Sequence, residues 1–179
     1  MSVSAATLRT HIDYSAWASR HLVDAAAQLS PEELVRDFQT ADRSVLDTLV
    51  HVYAADRLWL SRLNGGPHPG FVTDADRSLS VLQTEWPRLH ESWKQWAAEL
   101  TDETALAPLA YTDMKGRPWS QPLWQLVLHV VNHGTHHRGQ VSGFLRSMGR
   151  TPPAIDLIFY YRERPSGTDD RLPSSVRRL

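Results

Sequence analysis

A chain of 179 residues, 41% of them hydrophobic, is long enough to bury one sizeable core without covalent staples. Nineteen basic residues against 20 acidic ones leave a formal net charge of -1, which excludes the electrostatic footprint of a nucleic-acid binder. With no cysteine, the chain has no disulfide, thiolate metal ligand or cysteine nucleophile, so any metal must be held by histidine, aspartate or glutamate.

The opening stretch, MSVSAATLRTHIDYSAW, has no apolar run of signal-peptide length, and no later stretch approaches the ~20 apolar residues a membrane span needs. The expectation is a soluble cytoplasmic protein with neither membrane nor nucleic-acid partners. Four long segments have helical composition, at roughly 4–29, 43–63, 75–101 and 120–147, the first three without a glycine. They predict an all-α four-helix bundle in a single domain spanning 1–165.

Between the first two segments, Ser30-Pro31-Glu32-Glu33 reads as an N-cap, a proline at the first helical position and acids at the positive end of a short connecting helix. Ser44 and Asp47 make a capped start for the second segment, and Asn64-Gly65-Gly66-Pro67 ends it. Pro87 falls inside the third segment, where it predicts a kink or a split, the kink being favoured. Between Leu106 and Pro122, Met114-Lys115-Gly116-Arg117 predicts the turn of a small hairpin capping one end of the bundle. Beyond Gly149, TPPAIDLIFYYRERP is apolar enough to dock on the bundle, whereas the polar residues 166–179 are expected to form a disordered tail.

The fourth segment contains NHGTHHRG, with His129 just upstream. Leu123, Leu126 or Val127, Val130, Val141, Phe144 and Leu145 mark its buried stripe, and His133 and His137 fill the gap in that stripe. Two imidazoles one turn apart on one face can serve one metal ion. His129 and His137 are separated by about 12 Å of helix rise, so one ion is not easily shared by all three. Against a metal stands chance: nine histidines in this length produce such a pair readily, and two packed imidazoles can be satisfied by ordinary hydrogen bonds.

A third ligand must come from another helix. The second segment offers His51, one turn beyond Asp47, but its apolar arc runs through Val45, Leu49, Val52 and Leu63. His51 sits on the side shared with Ser44, Asp47 and Arg62, so the pattern alone reads it as a solvated helix histidine. The seven tryptophans read chiefly as core, with Trp59, Trp119 or Trp124 available to line a pocket.

Taken together, SVLDTLVHVYAADRLWLSRLNG, LVLHVVNHGTHHRGQVSGFLRSMG and TPPAIDLIFYYRE resemble, in order and spacing, the DinB/YfiT-like family of small metalloenzymes. The resemblance covers about residues 4–162, and H-x-x-x-H-R-G-Q at the end of a long helix is its most specific piece. This family is unrelated to the DNA polymerase that shares its abbreviated name. The resemblance implies a four-helix bundle, often a homodimer, holding a divalent metal with His51, His133 and His137; His11, His21, His129 and His136 remain outside the ligand set. It further implies a thiol-dependent S-transferase or a hydrolase acting on a small molecule. The alternatives are a stress-response metal-binding or dimerisation module without turnover, and a plain bundle of packed histidines.

Three imidazoles suit Zn, Ni, Fe, Co and Mn to different degrees and leave an open position for water, substrate or a small thiol cosubstrate. Asp47 reads either as a capping acid or as a partner for the second ring nitrogen of His51. Hydrolysis would need a base, for which His136, Asp47 and Asp56 are the candidates. Arg138 reads equally as a brace between helices or as a group that orients an anionic substrate, and Gln140 shares its motif.

Overall fold

The computed structural model describes residues 3–70 and 72–164. Four long helices run over Ala5–Ala26 (α1), Val45–Leu63 (α3), Leu79–Ala98 (α4) and Leu123–Ser147 (α6). Short helices cover Pro31–Leu34 (α2), Asp102–Leu106 (α5) and Leu157–Glu163 (α7), and strands Pro108–Thr112 (β1) and Pro118–Pro122 (β2) form one hairpin. Each of α1 and α3 packs along both α4 and α6, so the four long helices form a closed square with α1 diagonal to α3. This is the expected all-α bundle. The tail expected at 166–179 lies outside the described residues.

Local chemistry sets the boundaries. Ser30 and Glu33 form a reciprocal capping box around α2, and Glu33 also accepts from Arg150, tying α2 to the turn after α6. Ser44 caps α3 by accepting from the Asp47 amide, and Gly65, at φ 64°, ends it. The third segment begins later and ends earlier than its pattern predicted. A 3-10 turn at Asp74–Asp76, closed by Thr73 and Asp76, takes the first residues, and Thr101 caps α5 as a separate helix. α4 runs unbroken through Pro87, because Pro87 and Gln83, whose carbonyl loses its partner, are both on the solvent side.

The hairpin is in the predicted place. β1 and β2 pair antiparallel from Pro108 opposite Pro122 to Thr112 opposite Pro118, which delays the start of α6 from the expected residue 120 to Leu123. Asp113 organises the turn, accepting from the Lys115 and Arg117 amides, the Arg117 guanidinium and the Trp119 indole, while Gly116 takes φ 75°. These donors hold the Asp113 carboxyl well below the usual carboxylate range. The hairpin seats on the end of α3 through Arg62, which lies over Trp59 and Tyr111 and donates to the Thr112 carbonyl at 2.9 Å.

The buried face of α6 departs from the expected stripe. Gly134 and Arg138, not His133 and His137, continue the buried line from Val127 and Val131 to Val141 and Leu145. Arg138 is 1% exposed, donates from Nη1 to Ser15 and Ser19 of α1 and from Nη2 to Thr135, and lies over the Tyr14 ring. A Cβ on Gly134 would sit 2.7 Å from Arg138 Nη1, so glycine is what lets the guanidinium lie flat along its own helix. Arg138 is therefore a brace between α6 and α1, working through hydroxyl groups rather than an acid. α7 docks on the same side, with Tyr14 donating to the Ile155 carbonyl and Trp17 to Glu163.

Behind α3, the interior is polar at one point. Asp56 is 5% exposed and accepts from the Trp86 indole at 2.9 Å, while the Trp93 indole donates to its backbone carbonyl at 3.2 Å. The cavity beside it, lined by Ile12, Ser15, Asp56, His90 and Val130, has a volume of about 20 Å³. That is room for a water and far too little for a substrate.

Candidate metal centre

His133 and His137 leave α6 one step round from its Gly134–Arg138 line, toward the seam with α3. The same seam receives His51 from α3. One ligand nitrogen from each of the three rings lies within 4.8 Å of the other two. The ring centroids are 5.0 Å apart for His51 and His133, 4.4 Å for His51 and His137, and 4.5 Å for His133 and His137.

The tightest contact is His51 Nε2 to His133 Nε2, at 3.0 Å. Around a tetrahedral ion with bonds of 2.0–2.1 Å, neighbouring nitrogens stand about 3.3 Å apart. The donor set thus has the size and chemistry of a three-histidine metal site. The pattern-based view of His51 is half right: its side chain is 43% exposed, yet its inner nitrogen meets the α6 pair.

The second ring nitrogens point outward, to groups that mostly lie outside the helical patterns. His137 Nδ1 lies 2.7 Å from Gln140 Oε1 and 3.1 Å from Asp42 Oδ2. The other oxygen of Asp42 faces His51 Nδ1 at 3.6 Å. Asp47, considered as the partner of His51, instead accepts from Ser44 Oγ and pairs with Arg77, so its role is the capping one. Sequence reasoning missed Asp42 because it sits in the loop before α3, where no periodicity says which way a side chain points.

The remaining histidines separate from the triad. His129 stands edge-on to Trp59 with centroids 5.2 Å apart, and its ring is 6.1 Å from that of His133. His136 is exposed and packs edge-on against His137. His11 Nδ1 pairs with the Thr7 carbonyl, and His21 stands edge-on to Trp17. Of the tryptophans offered for a pocket, Trp59 is buried and Trp119 is 46% exposed on the hairpin.

Burial pushes the His133 ring down from 6.5 to about 4, helped by repulsion from His137, His51 and His129. Burial also lowers His137, partly offset by Gln140. Both rings are held neutral, the form that binds metal. In the unfolded chain they take up protons near 6.5, so below that pH the unfolded state binds more protons than the folded one. The stability of metal-free protein is therefore fully present above pH 6.5 and falls as pH drops toward about 4. Urea midpoints of chelator-treated protein between pH 7.5 and 4.5 should fall, and His133→Asn should flatten the fall; parallel curves for the two proteins would contradict it.

Of the triad, His51 borders a cleft of about 550 Å³ whose walls also include Asp42, Asp47, Val72 and Arg77. Arg77 is turned to Asp47 and Asp74. His51 is thus reachable from solvent, whereas His133 and His137 are only partly exposed. Among the described residues, no helix is long and apolar enough to cross a membrane.

The model of the DinB family matches residues 1–170. Protein DinB of Bacillus subtilis (strain 168) is 24% identical over 156 residues, an alignment that covers 83% of this chain and 90% of that protein. With a helical bundle, a histidine triad at its central seam and a family match over nearly its whole length, the chain belongs to the DinB family.

Proposed function

We propose that the protein is a divalent-metal-dependent enzyme in which His51, His133 and His137 hold the ion and a small molecule completes its coordination. The observation that carries this is the triad itself: three imidazole donors close enough to share one ion, two of them partly buried and the third, His51, 43% exposed beside a solvent-open cleft. A divalent ion held there would supply Lewis acidity that lowers the pKa of a coordinated thiol or water. Zn, Ni, Fe, Co and Mn are all within the range of such a donor set.

Thiol transfer is the preferred reaction. Hydrolysis calls for a base free to take a proton from the attacking water, and of the three candidates the two carboxylates are already engaged. Asp56 is buried and held by Trp86, Asp47 is held by Ser44 and Arg77, and His136 is exposed and packed edge-on against His137. A thiol needs less help, since its proton leaves near neutral pH once a cation stabilises the sulfur. Because the chain has no cysteine, the thiol is a low-molecular-weight cosubstrate. Its sulfur would form a bond to an electrophilic carbon, and the leaving group would depart with its electron pair and take up a proton.

In this proposal the protein's own side chains bind, orient and shield: the neutral rings of His133 and His137 hold the ion from α6, His51 holds it from α3 and borders the cleft, and Val72 gives the cleft an apolar patch. The protein acts in the cytoplasm, as a homodimer, without nucleic acid or membrane. The test reconstitutes it with each metal and offers a panel of small thiols with an activated aryl halide or an epoxide. Metal-dependent thioether formation that disappears in His51→Ala is the expected result. No acceleration with any thiol removes the transfer reaction, and metal-dependent ester hydrolysis in its place would assign the chain to the hydrolases.

A further inference from the structure

The three rings can share an ion only if each turns a nitrogen lone pair inward, and a neutral imidazole chooses between two tautomers. Within α6 the choice for His137 is left open. Gln140 lies 2.7 Å from its Nδ1, but a carboxamide can present either its oxygen or its NH2 by turning over. A carboxylate has no such freedom, because it only accepts. Asp42 Oδ2 at 3.1 Å tips the balance: a lone pair on Nδ1 of His137 would face a carboxylate oxygen, so the tautomer with the proton on Nδ1 is favoured, Gln140 turns its oxygen to it, and Nε2 is left as the donor to the ion.

The other oxygen of the same carboxylate faces Nδ1 of His51 at 3.6 Å. This is too long for a full hydrogen bond, and it acts as an electrostatic hold that favours the same tautomer. One side chain thus addresses two ligands that come from two different helices.

The loop that delivers Asp42 is built for one conformation. Gln39 and Arg43 on either side of it are at φ 58° and 61°, left-handed settings that residues with a Cβ adopt at a cost. Asp37 holds the loop closed, accepting from the Gln39 amide and the Arg43 guanidinium, and the Phe38 amide donates to the Arg43 carbonyl at 2.7 Å. Phe38 stacks flat on Phe144 of α6 with centroids 4.3 Å apart, which fixes the loop to the helix that carries His133 and His137. Asp42 itself is only 17% exposed, turned in toward the rings rather than out to water.

We propose that Asp42 is the positioning residue of the metal centre, setting the Nδ1-protonated tautomer of His137 and His51 so that both present Nε2 to a divalent cation. The proposal rests on the metal-binding role given to the triad above, and it separates from that role by experiment. Outer partners of metal-binding histidines change affinity by about 10- to 100-fold when removed.

Asp42→Asn, which keeps the shape of the loop, Asp42→Ala and Asp42→Glu are compared with the wild-type full chain in two measurements. Zinc affinity is read by competition with a chromophoric chelator. The histidine tautomers of the zinc-free chain are read from the 15N shifts of the ring nitrogens, which a purely structural role for Asp42 would not move. Expected are an affinity lower by about 10- to 100-fold in Asp42→Asn and Asp42→Ala, a mixture of His137 tautomers in both, and partial recovery of each readout in Asp42→Glu. An affinity within about threefold of wild type together with an unchanged tautomer in Asp42→Ala would overturn the assignment. Failure of the metal-binding role itself has a different signature, namely no zinc taken up by the wild-type chain.

Discussion

Replacement of His133 by alanine is expected to bring bound metal from about one ion per chain to background, because it removes one of the three imidazoles that would hold the ion. His133 Nε2 lies 3.0 Å from that of His51, and its ring lies within 5.0 Å of both partners. His129→Ala and His136→Ala serve as internal controls: each removes a neighbouring imidazole of the same helix, and each should leave the metal content at the wild-type level. Metal analysis of the four purified proteins checks this. Equal, near-zero content in wild type and His133→Ala would sink the metalloprotein assignment, whereas equal loss in all three variants would mean that the ion is held by the cluster as a whole.

The largest effect on stability is expected at Trp86, which is 1% exposed and anchors α4 against α3. Trp86→Ala removes a whole buried indole, a class of change that costs about 3–5 kcal/mol. It also takes away the donor that Asp56 uses in the interior. Trp86→Phe separates the two contributions, since it keeps most of the packing and leaves Asp56 short of its partner, at a cost of about 1–3 kcal/mol. Urea denaturation measures both. A loss below about 1 kcal/mol for Trp86→Ala would mean that the bundle closes over the gap, and the account of this region given above would be wrong.

The bundle was legible because its long helices carry their own punctuation. Ser30-Pro31 and Glu33, Ser44 with Asp47, and Asn64-Gly65 mark ends through hydrogen bonds made within a few residues, and these ends were placed closely. So was the hairpin turn, whose chemistry resides in Asp113 to Arg117. The third segment was overrun at both ends because Thr73 and Thr101 each start a new short element with caps that look like ordinary polar residues in a helical pattern.

The site was legible only in part, and for a different reason. Helical spacing brings His133 and His137 to one face but does not say which of two adjacent lines is buried; Arg138, which the sequence left open between a brace and an anion-orienting group, takes the deeper line beside Gly134. His51 lies on the polar side of its own helix, and only the crossing with α6 makes that side part of the interior seam. Asp42 belongs to no repeat at all. Contacts made across the chain by a strained loop leave no periodic trace, so residues of this kind are visible only once the fold has brought them in.

The bracing of α6 has a consequence for how this scaffold changes over time. The roll of the helix is set from the α1 side, by Arg138 on Ser15, Ser19 and Tyr14 with Gly134 beneath it. Nothing in that fastening involves His133 or His137. A lineage can therefore exchange a donor on the α3 side, a carboxylate for an imidazole for instance, and so move the site toward harder or softer cations, while the helix stays in register. Drift in chemistry is uncoupled from drift in architecture by the placement of one buried guanidinium.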